Sequence, residues 1–321
     1  MIEAKAHGGN VNVLMCADKN VVAGLHVAAY SLLKHLDESL KLRLYVFTDE
    51  VSAPFLNDLD ETLNKTGKVF EVSIRILNEN LPGGFPKMRD SLAPYFRLLA
   101  VPTLEAERVL YIDIDTLCLV DVGPLYRLPL NGNMVAMLPE TELSTCADDS
   151  VRSHPDIKTS IGHYFNSGVL LVDVAAWKKN QTTRKCLEYI AINAPQYWDQ
   201  SALNVELQGR ISCIESRFNF ITNKRENWHA FKNEKRISGK LLHFTDFPKP
   251  WSKLASLVHP FHKLWREHLL ETACSRTEQI PGKGLRRLLD FNSWFGYKKA
   301  LKDRLLMKAW RYGLISKIKG M

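Results

Sequence analysis

Short apolar runs alternate with stretches of helical periodicity over the first part of the chain. The run at 11–17 predicts a buried strand, and the apolar positions that follow recur at helical spacing up to Leu36. A second strand at 42–48, a helix at about 52–65 and a third strand at 69–77 continue this rhythm. Strands that alternate with helices predict a largely parallel sheet covered on both faces, with ligands bound outside the carboxyl ends of its strands.

The same kind of pattern continues to about residue 274. A Pro- and Gly-rich loop at 81–86 is followed by a predicted helix at about 93–99 and a short strand at 108–112. The later strands are predicted at 133–138, 168–173, 211–214 and 241–244, and the later helices at 174–179, 182–193 and 199–208. No repeat, low-complexity tract or linker interrupts this region, so we predict one domain at 1–274 and a separate tail at 275–321.

Two carboxylates, Asp113 and Asp115, lie directly after the strand at 108–112. In a regular strand, side chains two positions apart lie on the same face but run parallel to each other, so they do not converge on one point. We therefore expect a loop to begin at about Asp113, which would allow both carboxylates to bind one cation beyond the strand end. Hard carboxylate oxygens suit a divalent cation that binds and neutralises a leaving diphosphate. The same spacing occurs at Asp58 and Asp60 within a predicted helix, where we interpret it as a solvated surface. The preceding buried strand is what favours a metal site at Asp113.

Composition narrows the class of protein further. Apolar residues make up 45% of the 321 residues, enough for a large core, so general disorder is excluded. The six cysteines lie far apart without a Cys-x-x-Cys pair, which argues against a zinc site or a disulfide framework and predicts buried thiols. The apolar run at 11–17 is too short for a signal peptide or a bilayer span, so we predict a cytoplasmic location for the chain.

The formal net charge of +8 is concentrated in the C-terminal tail. From Ser275 onward there are 12 Lys and Arg against 3 Asp and Glu, which leaves residues 1–274 close to neutral. Aromatic and leucine side chains alternate with these cations from Gly282 onward. This composition predicts a helical tail that docks on an anionic membrane surface. The alternatives are that the tail packs on its own domain or that it binds nucleic acid, for which the sequence contains no recognised motif.

Seven segments place polar and aromatic residues beside the predicted strands and helices. They are Cys16-Ala-Asp-Lys-Asn, Tyr95-Phe-Arg-Leu, Leu110-Tyr-Ile-Asp-Ile-Asp, Tyr164-Phe-Asn-Ser-Gly-Val, Trp198-Asp-Gln-Ser-Ala-Leu-Asn, Ser216-Arg-Phe-Asn and Leu242-His-Phe-Thr-Asp-Phe-Pro-Lys-Pro-Trp. In this order they resemble glycosyltransferase family 8, the retaining transferases that include bacterial lipopolysaccharide galactosyl- and glucosyltransferases and the glycogenins. The resemblance covers about residues 11–251 and implies an α/β fold, with a GT-A-type nucleotide-binding mixed sheet flanked by helices.

For the nucleotide, the resemblance implies that Ala17, Asp18 and Asn20 contact the uridine and ribose of a UDP-sugar, and that Ile114 also lies against the donor. A turn with a helix N-cap is the alternative for the Asp and Asn. Arg97 is implied to reach the donor sugar or the diphosphate. Without the resemblance, a single Arg on a helix is more simply a surface charge.

For the metal, the resemblance implies that Asp113, Asp115 and His243 are the protein ligands. This mixture of carboxylates and imidazole suits Mn²⁺ better than Mg²⁺. Lys249 is implied to hold the β-phosphate as a point charge. Asp246, also assigned to the donor site, departs from the glycine usual in the family, where the backbone N–H approaches the diphosphate closely.

For the sugar, the resemblance implies that Asn166, Ser167 and Gly168 form a wall of the pocket and that Asp199 and Gln200 touch the sugar hydroxyls and the anomeric face. A neutral amide is a poor nucleophile, so we favour front-face displacement with the leaving UDP phosphate as base over a covalent glycosyl-enzyme. Gln200, Asp199 and Asp113 are the predicted catalytic residues.

The sequence thus predicts a retaining hexosyltransferase that moves glucose or galactose from a UDP-sugar to a lipid-linked glycan such as lipopolysaccharide. It is predicted to work at the inner face of the cytoplasmic membrane as a peripheral protein. The main alternative is a non-catalytic sugar-nucleotide or glycan-binding protein of the same fold, which the departure at Asp246 favours. A nucleotidyltransferase is a weaker alternative, because the sequence has no Gly-rich phosphate loop.

Overall fold

The structure is a computed structural model of the chain. It describes residues 9–18, 21–49, 53–77, 85, 91–157, 162–223, 237–252 and 254–276, and in the tail residues 298–299, 301–302 and 305. The described tail residues have helical backbone. Of the predicted site residues, Asn20 lies outside the described part, as does most of the predicted tail.

The strands and helices follow the predicted alternation. The first half contains β1 (Asn10–Ala17), α1 (Val22–His35), β2 (Lys41–Thr48), α2 (Ala53–Asn64), β3 (Phe70–Ile76), α3 (Ala93–Ala100) and β4 (Arg108–Ile112). The second half contains β5 (Thr116–Cys118), α4 (Gly123–Tyr126), β6 (Val135–Glu142), α5 (Asp149–Arg152), β7 (His163–Asp173), α6 (Val174–Lys179), α7 (Thr182–Asn193), α8 (Trp198–Glu206), β8 (Ile211–Cys213), β9 (Phe220–Ile221), β10 (Leu241–His243), α9 (Ala255–Val258) and α10 (His262–Leu270).

Seven strands form a mixed sheet in the order β3-β2-β1-β4-β7-β6-β8. The pairs β2–β3, β1–β2, β1–β4 and β6–β8 are parallel, whereas β7 runs antiparallel to both β4 and β6. The carboxyl ends of β1 and β4 therefore lie side by side at one edge of the sheet. The predicted α/β fold with a mixed sheet flanked by helices is confirmed.

Alternation along β1 explains why helices cover both faces of this sheet. Val13 packs with Leu25 of α1 in one buried cluster, whereas Leu14 packs with Tyr95 of α3 in another. Successive strand residues point to opposite faces, so a fully apolar strand is stable only when both faces are covered. Each such side chain contributes about 1.5–3 kcal/mol when fully buried.

A second, smaller sheet of three strands adjoins the end of β4, in the order β5-β10-β9. β5 and β10 pair antiparallel, which places His243 opposite Thr116. Leu117 and Leu242 pack with Trp265 in a third buried cluster that supports this sheet. The small sheet therefore brings His243, which is far from β4 in the sequence, to the carboxyl end of β4.

Several elements differ from the sequence prediction. The strand predicted at 168–173 begins earlier, at His163, because residues 163–166 pair with β6 and the polar side chains of Asn166 and Ser167 are buried. The strand predicted at 133–138 continues to Glu142 across two register shifts. The short strands β5 and β9 and the helices α4, α5, α9 and α10 were not predicted.

Two further sequence predictions concern cysteines and membrane spans. All six cysteines are free, and four of them are buried, whereas Cys213 is exposed and Cys274 partly so. Within the described ranges, no helix combines the length and the apolar character needed to cross a bilayer.

Candidate active site

The loop between β4 and β5 is held by main-chain hydrogen bonds from both sides. The N–H of Asp113 donates to the carbonyl of Gly168 on β7 at 2.8 Å, and the N–H of Phe244 after β10 donates to the carbonyl of Asp115 at 2.9 Å. The Thr116 hydroxyl donates to the carbonyl of Asp113 at 2.7 Å. The chain therefore leaves the extended conformation after Ile112, as predicted, between the two sheets.

Asp113, Asp115 and His243 form a cluster whose ligand atoms lie close enough together to hold one metal ion. One ligand atom from each lies within 4.8 Å of the others. His243 Nε2 is 3.2 Å from Asp115 Oδ1 and 3.7 Å from Asp113 Oδ2. The imidazole is buried, and its other nitrogen, Nδ1, lies 2.8 Å from Asn219 Oδ1. The fold thus brings together the three residues predicted as metal ligands.

In each aspartate of the cluster, one carboxylate oxygen contacts a cationic side chain and the other faces His243. Asp113 Oδ1 accepts hydrogen bonds from Arg97 Nη2, at 3.0 Å, and from the Tyr111 hydroxyl. Asp115 Oδ2 accepts from Lys249 Nζ at 2.6 Å. The remaining oxygens, Asp113 Oδ2 and Asp115 Oδ1, face the imidazole of His243. One oxygen of each aspartate is therefore directed towards a shared cation position.

The two aspartates differ in electrostatic environment. Burial raises the pKa of Asp113, and the nearby charge of Asp115 adds to this effect, although Arg97 and His243 oppose it. Burial also disfavours ionisation of Asp115, but Lys249 and His243 outweigh it and hold the pKa of Asp115 below its ordinary value. A cation shared by both carboxylates would favour the ionised form of each.

Arg97 is buried between two carboxylates. Its Nη2 donates to Asp113, and its Nε lies 2.9 Å from Asp199 Oδ2 in an ion pair that is not an aligned hydrogen bond. Its guanidinium also lies over the ring of Tyr111, 4.2 Å from the centroid, and donates to the carbonyl of Ser167. The guanidinium thus holds Asp113 and Asp199 in place. The contact between Arg97 and the donor stays a prediction.

Asp199 is the second carboxylate of this arrangement. Burial raises its pKa to about 7, and the charge of Asp113 acts in the same direction, while Arg97 opposes both. One guanidinium carries one positive charge, so it compensates one of the two carboxylates in full. Burial and the remaining negative charge of Asp113 therefore outweigh Arg97, and the pKa of Asp199 stays above its ordinary value.

Gln200 lies against Asn166 and Ser167 in the buried middle of β7. Its Oε1 accepts from the N–H of Ser167 at 3.0 Å, and the Ser167 hydroxyl and Asn166 Nδ2 each lie 3.3 Å from the same oxygen. Its Nε2 lies 3.5 Å from Glu140 Oε2. The structure therefore groups Gln200 with Asn166 and Ser167, the predicted wall of the sugar pocket.

Sequence reasoning did not single out the residues that hold α8 in position. Asn204 accepts from the N–H of Phe165 at 2.7 Å and donates to the carbonyl of Phe165 at 2.8 Å. Ser201 donates to Asp148 Oδ2 at 2.6 Å. Asn204 is the last residue of the motif that begins at Trp198, so the sequence could have indicated that it has a structural role. Nothing in the sequence around Asp148 indicated a contact with α8.

Lys249 and Asp246 lie on the loop that follows β10. Lys249 Nζ donates to Asp115 and to the carbonyls of Phe244 and Thr245, the latter at 3.0 Å. Asp246 Oδ2 accepts from Lys299 of the tail at 2.8 Å. The carboxylate at the family's glycine position thus has a cationic partner. Of the two predicted donor-site residues on this loop, Lys249 therefore contacts the cluster, whereas Asp246 contacts Lys299.

The predicted nucleotide contacts lie where β1 ends. Ala17 is the last residue of β1 and is fully buried, and Asp18 follows it with 7% of its surface exposed. The loop residue Ile114 approaches the start of α1 so closely that a side chain at Gly24 would lie 3.1 Å from its carbonyl oxygen. Ala17, Asp18 and Ile114 are therefore at the same edge of the sheet as Asp113.

Comparison with known proteins identifies the family. The model of Glycosyl transferase family 8 matches residues 12–255, about three quarters of the chain. The chain belongs to glycosyl transferase family 8. The predicted family and the predicted enzyme class, a hexosyltransferase of family 8, are thereby confirmed.

Relatives of this family 8 chain include curated enzymes and solved structures. The chain is 28% identical over 316 residues to a lipopolysaccharide 1,2-glucosyltransferase of Escherichia coli K12, with 95% of this chain and 88% of the relative covered. The galactosyltransferase LgtC, solved with donor and acceptor sugar analogues, matches with a TM-score of 0.64 at 22% identity over 82% of this chain and 96% of LgtC.

The bifunctional glycosyltransferase WbbM matches with a TM-score of 0.66 at 19% identity over 87% of this family 8 chain. The chain spans about half of WbbM, since the match covers 52% of that protein. At these identities, LgtC and WbbM support the fold of the chain.

Proposed function

We propose that this enzyme transfers a glucosyl or galactosyl group from a UDP-sugar to a glycan acceptor of the lipopolysaccharide kind, with retention of the anomeric configuration. The observation that carries the proposal is the cluster of Asp113, Asp115 and His243 at the carboxyl end of β4 in a family 8 chain. The E. coli relative named as a lipopolysaccharide 1,2-glucosyltransferase supports the acceptor class.

The donor set of the cluster fits a divalent cation, and its imidazole favours Mn²⁺ over Mg²⁺, which prefers oxygen ligands alone. Asp113 Oδ2, Asp115 Oδ1 and His243 Nε2 would hold the ion. When bound, the ion neutralises charge on the departing diphosphate. Lys249, whose Nζ lies 2.6 Å from Asp115 Oδ2, would add a further positive charge for the β-phosphate.

The uridine and ribose of the donor are assigned to the end of β1, where Ala17 and Asp18 lie beside Ile114 and the cluster. Asn20 belongs to the same predicted segment. Ligands of α/β sheets bind outside the carboxyl ends of the strands, where β1 and β4 meet here. The sugar would then extend from the diphosphate towards Asn166, Ser167 and Gln200.

Two contacts favour front-face displacement over a covalent glycosyl-enzyme. Asp199 is buried and paired with Arg97, so its carboxylate is not directed freely into the pocket as a nucleophile. The oxygen of Gln200 accepts from Ser167, and a neutral amide attacks carbon poorly. Arg97 instead positions Asp113 and Asp199, and the leaving phosphate of UDP takes the acceptor proton.

The tail is assigned to an anionic membrane surface, which would bring the enzyme to a lipid-linked acceptor at the inner face of the cytoplasmic membrane. Basic and aromatic residues alternate from Gly282 onward. Sedimentation with anionic liposomes at physiological salt tests this assignment. Full retention of the enzyme in the supernatant contradicts it, and deletion of residues 275–321 provides the control.

A donor panel tests the proposed reaction. UDP release from several UDP-sugars, with Mn²⁺ and with or without lipopolysaccharide acceptors, is expected for UDP-glucose or UDP-galactose. Asp113→Asn should abolish turnover and leave the protein folded, because it removes a charge at the cluster without changing the shape of the side chain. Binding of UDP without turnover of any donor would favour the non-catalytic alternative.

A further inference from the structure

We propose that Asn219 is a positioning residue that fixes the tautomer and the rotation of His243, so that Nε2 presents its lone pair to the cation position shared with Asp113 and Asp115. The inference deepens the proposed metal site and rests on it. Asn219 is fully buried just before β9, and its Oδ1 lies 2.8 Å from His243 Nδ1. The contact lies between the residue before β9 and the last residue of β10, which are paired strands of the small sheet.

The direction of the hydrogen bonds follows from a backbone amide. The N–H of Gly168 can only donate, and it donates to Asn166 Oδ1 at 2.9 Å. The other end of that amide, Nδ2, then faces the carboxylate of Glu140 at 3.2 Å, which can accept. Asn166 is therefore oriented from both ends.

The orientation of Asn166 determines that of Asn219. Asn166 Oδ1 also accepts from Asn219 Nδ2 at 2.8 Å. Because the nitrogen end of the Asn219 amide makes this bond, the oxygen end faces His243. An amide oxygen only accepts, so Nδ1 of His243 must carry the hydrogen.

A neutral imidazole carries one ring hydrogen, so a hydrogen on Nδ1 leaves a lone pair on Nε2. Nε2 is the atom that lies 3.2 Å from Asp115 Oδ1 and 3.7 Å from Asp113 Oδ2. Histidines that bind metals commonly donate their other N–H to such an acceptor, which orients the ring. Asn219 would thus act on the metal through His243, which its Oδ1 contacts at 2.8 Å.

A merely structural role for Asn219 has to be separated from this one, because its amide also joins β9 to β7. Asn219→Leu removes the acceptor for Nδ1–H and the donor to Asn166. Asn219→Asp keeps an acceptor for Nδ1–H but loses the donor. Asn12→Leu is the matched control, since Asn12 donates to Tyr126 at 2.7 Å, towards the opposite end of β1 from the cluster.

The experiment measures Mn²⁺ affinity in the presence of UDP, from the electron paramagnetic resonance signal of free Mn²⁺, and stability by urea unfolding. We expect Asn219→Leu to weaken Mn²⁺ binding by about 10–100-fold. Asn219→Asp should keep wild-type or tighter binding even though a buried carboxylate lowers its stability. Asn12→Leu should lose stability and keep its Mn²⁺ affinity.

Wild-type affinity in Asn219→Leu would overturn the inference and leave the proposed function standing. Equal weakening in Asn219→Asp and Asn219→Leu, in step with lost stability, would also overturn it, because it would indicate a structural role alone. Failure of the wild-type protein to bind Mn²⁺ would instead refute the proposed metal site, and the inference with it.

Discussion

A methyl group added at Gly168 would overlap the imidazole of His243. A Cβ built at this position lies 2.1 Å from His243 Cε1, 2.7 Å from Nδ1 and 2.8 Å from Nε2. Non-bonded carbon atoms approach to about 3.5–4.0 Å, so Gly168→Ala must displace the ring by more than about 1 Å. Such a displacement breaks the 2.8 Å contact with Asn219 or moves Nε2 away from Asp115.

Two magnitudes follow for Gly168→Ala. Overpacking of a buried site is expected to lower the free energy of unfolding by about 1–3 kcal/mol. Misplacement of one of the three metal ligands is expected to weaken Mn²⁺ binding by roughly 10–100-fold. Gly162→Ala is the control, because a Cβ there would meet Leu143 Cδ1 at an ordinary 3.6 Å.

Urea unfolding measures the loss of stability, and calorimetric titration of Mn²⁺ in the presence of UDP measures the loss of metal affinity. Gly162→Ala should match the wild-type protein in both. If Gly168→Ala binds Mn²⁺ with wild-type affinity while it remains folded, the imidazole is not a ligand in the position described. The predicted overlap between a Cβ at Gly168 and the imidazole of His243 would then be refuted.

Three further predictions concern charged groups. Arg97→Met should lower the free energy of unfolding by about 3–5 kcal/mol in urea unfolding, because it leaves the buried carboxylate of Asp199 and the partly buried carboxylate of Asp113 without their cation. Because burial raises the pKa of Asp199 to about 7, the folded protein holds a proton there that the unfolded chain releases. The free energy of unfolding should therefore fall from about pH 4 to pH 7, by at most about 1.4 kcal/mol per pH unit, and Asp199→Asn should remove this component. Lys299→Ala breaks a partly exposed ion pair with Asp246 and should change the free energy of unfolding by less than about 1 kcal/mol. A larger loss would indicate that the tail packs on the domain.

Local pattern was sufficient to predict most of the large sheet. β4 was predicted with its observed bounds, as were α6 and α7, because each combines a clear apolar period with a polar boundary. The helix α10 could also have been predicted, since Phe261, Trp265 and Leu269 repeat at helical spacing and are buried.

The small sheet could not be predicted from local pattern. β5 has three residues and β9 has two, too few to establish a period of two. Without that sheet, physical reasoning cannot bring His243 to Asp115, and only the family resemblance suggested the pair. Asn219 lay within a recognised motif, but its contact with His243 depends on a pairing between distant strands.

The same argument explains why Asp113 and Asp115 differ from the equally spaced Asp58 and Asp60. Residues two positions apart on a helix such as α2 point about 200° apart around the axis, so their carboxylates diverge. After β4 the chain turns between two sheets, where Arg97 and Lys249 each bind one carboxylate oxygen. The other oxygen of each aspartate is thereby directed towards His243. The Asp-x-Asp spacing alone therefore does not make a metal site. The fold also has to bring Arg97 and Lys249 to the two aspartates, because these cations determine which carboxylate oxygens remain available for a metal ion.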